Sequence, residues 1–266
     1  MSQANKQAEN KTNKLTAGVI LIGNELLSGR VEDKNLPYIA KKLSDRGIKV
    51  VECRIIADTP EAIIDTVNEF RKKHTYVFTT GGIGPTHDDI TTRCVAKAFG
   101  VEIYRDDKTV AAFKAHYGDR ATEATYRMCD FPVGADLLEN SVSVAPGFRM
   151  ENVYVMAGIP RVMQSMFDVA LPTLEEGEPI QEVSFTAHTS EGKIGIQLEA
   201  IQNANTKVDI GSYPFLKDGK PTVTLVIRSV DQEAVHKAAH AIGQMLEELE
   251  AEIIDAPDAW PQAAAV

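Results

Sequence analysis

YVFTTGGIGPTHDD, residues Tyr76 to Asp89, decides the fold of this chain. The run Tyr76–Thr79 is short and apolar, which is typical of a β-strand that is buried on both faces. It passes directly into the glycine-rich loop Thr79–Asp89, and helical periodicity follows over Ile90–Phe99, ending at Gly100. This order predicts one strand–loop–helix unit of a parallel sheet, with a ligand-binding loop at the carboxyl end of the strand.

The same alternation of strands and helices extends to both sides of this unit. Ala17–Ile22 and Val153–Met156 are further continuous apolar runs, and Ile48–Ala57 also favours a strand. Apolar residues recur at helical spacing in Asn35–Arg46, and Thr59-Pro60-Glu61 has the cap residue, proline and acid of a helix start. These elements predict an α/β fold with a mainly parallel sheet that has helices on both faces.

The character of the chain changes around residues 171–179. The segment that follows predicts the order strand, helix, strand, strand, helix, with Lys217-Asp218-Gly219-Lys220 as a hairpin turn. That order indicates a second, small α+β domain. We therefore expect a disordered tail at 1–14, an α/β domain at 15–178, the small domain at 179–254 and a second tail at 255–266.

Composition excludes several classes of partner. The formal net charge of −10 argues against a surface that binds nucleic acid or an anionic membrane. Three widely spaced cysteines, Cys53, Cys94 and Cys129, indicate free thiols in a reducing compartment. Residues 1–14 are polar and do not resemble a secretory signal, and no apolar run has the length of a membrane span. We expect a cytoplasmic protein.

The glycine loop is the strongest candidate binding site. Gly81, Gly82 and Gly84 allow positive φ and a close approach of the backbone to a ligand, and successive N–H groups in such a loop can hold an anion. Thr80 and Thr86 offer hydroxyl donors. The loop is neither a phosphate-binding P-loop, since it has no Lys, nor the dinucleotide fingerprint of parallel sheets. It therefore predicts a phosphate site outside these two common classes.

Asp88 and Asp89 at the end of the loop allow two interpretations. Adjacent carboxylates would repel an anionic ligand unless a divalent cation lies between them, and Mg²⁺ commonly uses one or two carboxylates together with substrate phosphates. The alternative is structural, with Asp88 as a helix cap and Asp89 paired with Arg93 four residues later. We favour a metal role for at least one of the two acids.

Five segments together resemble the MoaB/Mog type of molybdopterin-binding fold. Within it, the chain looks most like the N-terminal region of the competence/damage-inducible protein A (CinA) family, and it is similar to the corresponding domain of FAD synthase. The segments that carry this resemblance are GNELLSG (23–29), TTGGIGPTHDDIT (79–91), NSVSVAPGF (140–148), AGIPR (157–161) and IGSYP (210–214).

The resemblance implies a three-layer α/β sandwich, a KH-like C-terminal domain and a homo-oligomer, either a dimer or a trimer. It also implies that the glycine loop holds the phosphate of a pterin such as molybdopterin, or of a dinucleotide-like molecule. Two family aspartates that act near Mg²⁺ or another divalent cation match Asp58 and Asp89. Many relatives have Asp where this chain has Asn24, which can orient a ligand but cannot act as a base.

Other polar residues near strand ends are weaker candidates. Asn24, Glu25 and Ser28 follow the first strand and are expected at the ligand, although loop residues of this kind are often only solvated. Gly158 and Pro160 open a helix whose N–H groups could bind a second anion, or Pro160 could be a simple first-turn proline.

Three functions are compatible with these residues. The first is a metal-dependent hydrolase that cleaves a pyrophosphate bond in a molecule like ADP-ribose or FAD, with Asp89 and Asp58 as its catalytic residues. The second is a non-catalytic module that binds molybdopterin or a nucleotide. The third is a molybdopterin adenylyltransferase.

Overall fold

The computed structural model of the chain describes residues 15–257. The chain divides into two units between Gly177 and Glu178, whereas the sequence analysis placed the boundary after residue 178. Each unit is described by itself. The tail expected at 1–14, and the part of the second tail from 258 onward, lie outside the described residues.

The first unit contains a six-stranded sheet and a separate two-stranded sheet. Its strands are β1 (Thr16–Ile22), β2 (Lys49–Ile56), β3 (Tyr76–Thr80), β4 (Ile103–Arg105), β5 (Asp130–Pro132), β6 (Asp136–Leu138), β7 (Gly147–Met150) and β8 (Val153–Met156). The large sheet has the order β2-β1-β3-β8-β7-β6, and β4 pairs with β5. β2, β1, β3 and β8 are parallel, while β7 and β6 are antiparallel. The expected mainly parallel sheet is confirmed.

Helices cover both faces of this sheet. The helices of the unit are α1 (Asn24–Leu27), α2 (Asn35–Asp45), α3 (Pro60–Lys73), α4 (Thr91–Phe99), α5 (Asp107–Tyr117), α6 (Glu123–Tyr126) and α7 (Pro160–Ala170). Val19 and Leu21 of β1 pack in a core with residues of α2 and α7. Ile20 and Ile22 pack in a second core with residues of α3 and α4. Because alternate residues of β1 enter opposite cores, the unit has three layers.

The structure confirms some local expectations and corrects others. Thr59 caps α3 by accepting a hydrogen bond from the Ala62 amide at 3.4 Å, with Pro60 as the first helical residue. α5 ends at Tyr117, and a 3-10 turn follows at 118–120. Strands β4 to β7 were not expected, because each has only three or four residues. Runs that short show no measurable period.

The second unit is an antiparallel α+β domain. Its elements are β9 (Gln181–His188), α8 (Glu191–Ala204), β10 (Asp209–Lys217), β11 (Lys220–Ser229), α9 (Gln232–Glu248) and β12 (Glu252–Asp255). The sheet order is β10-β11-β9-β12. Asp218 and Gly219 form the hairpin turn with positive φ, as expected. The last helix ends at Glu248, and β12 extends one residue into the segment 255–266 that had been expected as a tail.

Two expectations drawn from composition can be compared with the structure. All three cysteines are free thiols, with Cys94 and Cys129 buried and Cys53 exposed. Burial raises the pKa of Cys129 to about 11. Over residues 15–257, no helix has the length and apolar character needed to cross a membrane.

Candidate functional site

Three neighbouring parallel strands end in glycine-bearing loops at one edge of the sheet. Gly23 follows β1, Gly81 follows β3 and Gly158 lies two residues after β8. A Cβ at Gly158 would lie only 3.3 Å from the Cα of Gly81. The structure thus brings together the loops that follow β3 and β8, at the edge where parallel sheets bind ligands.

Gly81 shapes the site through its backbone conformation. Its φ is +104°, and a Cβ there would lie 2.2 Å from the carbonyl oxygen of Ile22, at the end of β1. The Gly81 amide donates a hydrogen bond to the Met156 carbonyl at 3.0 Å. Only glycine satisfies both the positive φ and the close approach. Since its N–H is already bonded to β8, Gly81 fixes the loop and leaves phosphate contacts to the following residues.

Thr91 holds the glycine loop by bonding the carbonyl groups of Gly81 and Gly82. It was not predicted as a site residue. This fully buried residue begins α4. Its hydroxyl donates to the Gly81 carbonyl at 3.0 Å, and its amide donates to the Gly82 carbonyl at 2.9 Å. Gly82 has a φ of +69°, and a Cβ there would lie 2.2 Å from the Thr91 hydroxyl oxygen. The only sequence signal was its place at the end of the family-like motif 79–91.

Three consecutive amides of the loop remain available to a ligand. Among residues 15–257, the N–H groups of Gly82, Ile83 and Gly84 donate no hydrogen bond. Positive φ at Gly81 and Gly82 turns the chain at this point. A run of unpaired amides with such turns is the local device by which a backbone binds an anion. These three residues form the centre of the candidate phosphate site.

Asp88 and Asp89 are organised by Thr86. The Thr86 amide donates to Oδ2 of Asp89 at 2.8 Å, and the Thr86 hydroxyl lies 2.6 Å from the same oxygen. The hydroxyl also contacts Oδ1 of Asp88. Bonds from the Thr86 hydroxyl and from its own amide hold the pKa of Asp88 below its usual range. Thr86 therefore positions the two acids, and its hydroxyl is already occupied.

Neither contact named for the structural alternative forms within residues 15–257. α4 begins at Thr91, one residue later than expected, and its cap residue Ile90 makes no side-chain cap bond. Asp88 consequently does not cap the helix. Within the described part of the chain, Asp89 bonds Thr86 and forms no ion pair with Arg93. The carboxylate of Asp89 also lies against Gly84, where a Cβ would meet its Oδ2 at 2.6 Å.

Asn24 and Asp58 meet at the ends of β1 and β2. The Asn24 side-chain amide donates a short hydrogen bond to Oδ1 of Asp58. The neighbouring Glu25 folds its carboxylate back onto Gly23, and the Ser28 hydroxyl donates to the Glu25 carbonyl at 3.2 Å. The structure thus joins two of the predicted residues directly, and it places Glu25 and Ser28 in local contacts on the exposed rim.

Asn35 is a second residue that the sequence analysis did not identify. It starts α2, is 5% exposed, and donates from Nδ2 to the Gly158 carbonyl at 2.9 Å. Its buried Oδ1 has no hydrogen-bond partner within residues 15–257. Pro160 begins α7 directly after this anchored segment. Nothing in a short polar residue at a helix start signals a contact 123 residues away.

The residues around the loop also limit how a metal ion could bind there. Thr80 is 2% exposed at the end of β3, so its hydroxyl lies inside the fold. Across residues 15–257, no group of three or more His, Cys, Asp or Glu side chains is placed to hold a metal ion. The carboxylates available near the loop fit only a cation that shares its coordination with ligand oxygens and water.

A cleft of about 660 Å³ adjoins α7. It is lined by residues of α2, α7 and the segment before β7, among them Tyr38, Asn140, Ser141, Arg161, Ser165 and Asp168. None of its lining residues belongs to the glycine loop. This open cleft along α7 is therefore separate in its lining from the loop amides.

Two family models match the chain. Residues 18–176 match the family described as "probable molybdopterin binding domain", and residues 179–254 match the middle domain of FAD synthase. The chain is thus a molybdopterin-binding-type α/β protein with an FAD-synthase-like second domain. It belongs to the molybdopterin binding domain family.

Individual proteins and a solved structure are also similar to this chain. A protein of Archaeoglobus fulgidus is 35% identical over 229 residues, which cover 86% of this chain and 96% of that protein. A CinA-like protein of Syntrophus aciditrophicus is 29% identical over 91% of this chain, and the match spans 60% of the relative's length. The crystal structure of CinA from Thermoplasma acidophilum, described as of unknown function, is 29% identical with a TM-score of 0.57 and covers 61% of this chain and 98% of that one. The expected resemblance to CinA-like proteins is confirmed.

Proposed function

We propose that this protein is a metal-dependent hydrolase that cleaves the pyrophosphate bond of a dinucleotide-like molecule such as ADP-ribose or FAD. The observation that carries the proposal is the run of unpaired amides at Gly82, Ile83 and Gly84 beside carboxylates. In a chain of net charge −10, such a local device is what an anionic ligand requires. The match of residues 179–254 to a domain of FAD synthase supports a dinucleotide over a simple phosphate.

The chain's own groups divide the work between binding and orientation. The three free amides hold the non-leaving phosphate of the substrate. Their position is fixed by the bonds of Gly81 to Met156 and Thr91. Thr86 orients Asp89 toward the loop. Asn24 holds Asp58 in one orientation through its amide.

Asp89, with Asp58 or Asp88, would hold the divalent cation. Such a cation would neutralise developing charge on the phosphate and lower the pKa of a bound water. Two carboxylates and the oxygens of a bound pyrophosphate suffice for Mg²⁺, which keeps several waters of its own.

Asp89→Asn tests this proposal in the presence of Mg²⁺ with ADP-ribose and with FAD as substrates. The substitution keeps the shape of the side chain but removes its charge, so we expect kcat/KM to fall at least about a hundredfold, the scale of losing one charge-stabilising group. Asp107→Asn, an exposed acid in the first turn of α5, is the matched control and should leave turnover unchanged. Unchanged turnover in Asp89→Asn would reject the mechanism.

A non-catalytic binding module is the second candidate, and one observation favours it. The family resemblance implies an Asp at the position of Asn24, whose side chain is already bonded to Asp58. An amide supplies neither a base nor an anionic metal ligand. Native mass spectrometry that finds a co-purified pterin or nucleotide, together with no hydrolysis across a screen of divalent metals, would select this function. An ATP-dependent product would instead indicate adenylyl transfer.

A further inference from the structure

β2 forms one edge of the large sheet, and its backbone is free along that edge. The strand has eight residues, and it pairs only with β1. The Ile56 carbonyl accepts a bond from Gly23 and so faces β1. Since backbone groups of successive residues alternate sides, Cys53 and Ile55 direct their N–H and C=O groups away from the sheet. An unpaired edge of this length is a template for another strand.

The other sheet edges lack this property. β6, at the opposite edge of the same sheet, has three residues, and β12 in the second unit has four. β10 is long enough but contains Pro214, which has no N–H to donate. Among the edge strands of residues 15–257, β2 alone is both long and able to donate at each position.

The sequence of β2 is complementary to itself about Cys53. In an antiparallel pair of two copies centred there, Glu52 faces Arg54 of the second copy, and Arg54 faces its Glu52. Val51 and Ile55 face each other in the same way. Such opposite-charge and apolar cross-strand pairs stabilise antiparallel sheets.

These pairs segregate to opposite faces of the sheet. Cys53 and Ile55 align with Val19 and Leu21 of β1 and share their face, whereas Glu52 and Arg54 lie on the α3 side, 2.7 Å from each other. Cys53 is exposed, and Ile55 is 45% exposed. Arg54 also bonds Glu69, and Glu52 also pairs with Lys73, both on α3. One face of the paired edge would therefore bury apolar side chains, and the other would join these charge networks of the two copies.

Aliphatic side chains are exposed at one end of the strand and in α1, which contacts β2. Val51 is 48% exposed, and the shift in register between β1 and β2 leaves it as the extra residue at one end of the regular edge. Leu27 of α1 is 54% exposed. Exposed aliphatic side chains that adjoin a free edge mark an association surface better than scattered ones.

We propose that the chain forms a two-fold symmetric dimer in which β2 pairs antiparallel with β2 of a second copy, centred on Cys53. The six-stranded sheets of two copies then join into one continuous sheet. A two-fold interface requires a surface that complements itself, and the segment 51–55 does so in both charge and apolarity. This arrangement yields a dimer and excludes a trimer through this edge. It does not depend on the activity proposed above.

Sedimentation of the full chain and of two single-charge variants tests the dimer. Glu52→Arg places two Arg pairs across the axis, and Arg54→Glu places two Glu pairs there. Each should raise the dimer dissociation constant about tenfold to hundredfold, equivalent to about 1.4–2.8 kcal/mol. Mixed in equal amounts, the two variants should form a heterodimer, because Arg and Glu again face each other at both pairs.

Cross-linking of the unmodified chain provides a measurement that needs no folded variant. Dibromobimane, a short thiol-to-thiol cross-linker, should join Cys53 to Cys53 of the second copy, and mass spectrometry of the digested product identifies the linkage. Cys53→Ser should abolish the cross-link, since Cys94 and Cys129 are buried. A monomer at every soluble concentration, a dimer without the Cys53 cross-link, or a variant mixture that stays monomeric would overturn the proposal.

Discussion

Gly82→Ala should destabilise the first unit more than the same substitution at a glycine of nearly equal φ. Gly100, at the end of α4, has a φ of +68°, against +69° at Gly82, and a Cβ there would meet no atom within 4 Å. Alanine at Gly100 should therefore lower the free energy of unfolding only by the cost of the left-handed conformation, about 1–2 kcal/mol. Alanine at Gly82 would also place its Cβ 2.2 Å from the Thr91 hydroxyl oxygen.

The additional cost follows from the bonds of Thr91. To avoid the new Cβ, its side chain must leave its rotamer, at about 0.5–1.5 kcal/mol. Its bond to the buried Gly81 carbonyl is then lost, at about 1–3 kcal/mol. The total for Gly82→Ala is about 2.5–6.5 kcal/mol, compared with about 1–2 kcal/mol for Gly100→Ala.

Urea unfolding measures both values, and a double-mutant cycle with Thr91→Ala isolates the overlap. Because removing the hydroxyl removes the atom that the new Cβ would meet, the two substitutions should together cost less than their sum by at least about 1 kcal/mol. Equal destabilisation by Gly82→Ala and Gly100→Ala, or strict additivity in the cycle, would refute this account of how the loop is held.

Two further perturbations test the charges of the first unit. Asn24→Asp places a second carboxylate against Asp58 and creates a pair suited to a divalent cation, so Mg²⁺ should raise the melting temperature of this variant more than that of the unmodified chain; equal shifts would contradict it. His74 has a side chain that is 1% exposed, and burial lowers its pKa, opposed by Glu52 at 3.5 Å. Its folded-state pKa lies below the unfolded value near 6.5, so it contributes stability that is present above about pH 6.5 and is lost as the pH falls through the folded pKa. His74→Phe should flatten this dependence in unfolding experiments between about pH 7 and 5, and an unchanged slope would show that other groups cause it.

Much of the α/β fold could be predicted because its strands are covered on both faces. A continuous apolar run such as Val153–Met156 predicts a strand even when the strands that pair with it are unknown. The structure confirms this strand with the same bounds. The start of α3 was equally local, since Thr59 and Pro60 carry their own cap geometry. Elements whose signal lies within a few residues are those that sequence predicts best.

The candidate site was predictable in position but only partly in its contacts. The glycine pattern placed the loop, yet the bond between Gly81 and Met156 joins residues 75 positions apart, and no local pattern reports it. The acids Asp88 and Asp89 have the appearance of a helix cap, but Thr86 holds them one turn before α4 begins. Such roles depend on tertiary contacts that a single sequence does not display.

The contacts that sequence could not reveal are those that make the loop rigid. Gly23 donates to Ile56, and Gly81 donates to Met156, so each of these bonds joins the loop after one strand to the end of a neighbouring strand. Asn35, at the start of α2, donates to Gly158 in the loop after β8. An anion site made of amides is effective only when the amides already point at the ligand, because otherwise ordering them opposes binding. A chain of net charge −10 has no general attraction for a phosphate that could offset a loose loop. It follows that the hydrogen bonds behind the loop matter as much to ligand affinity as the amides that face it.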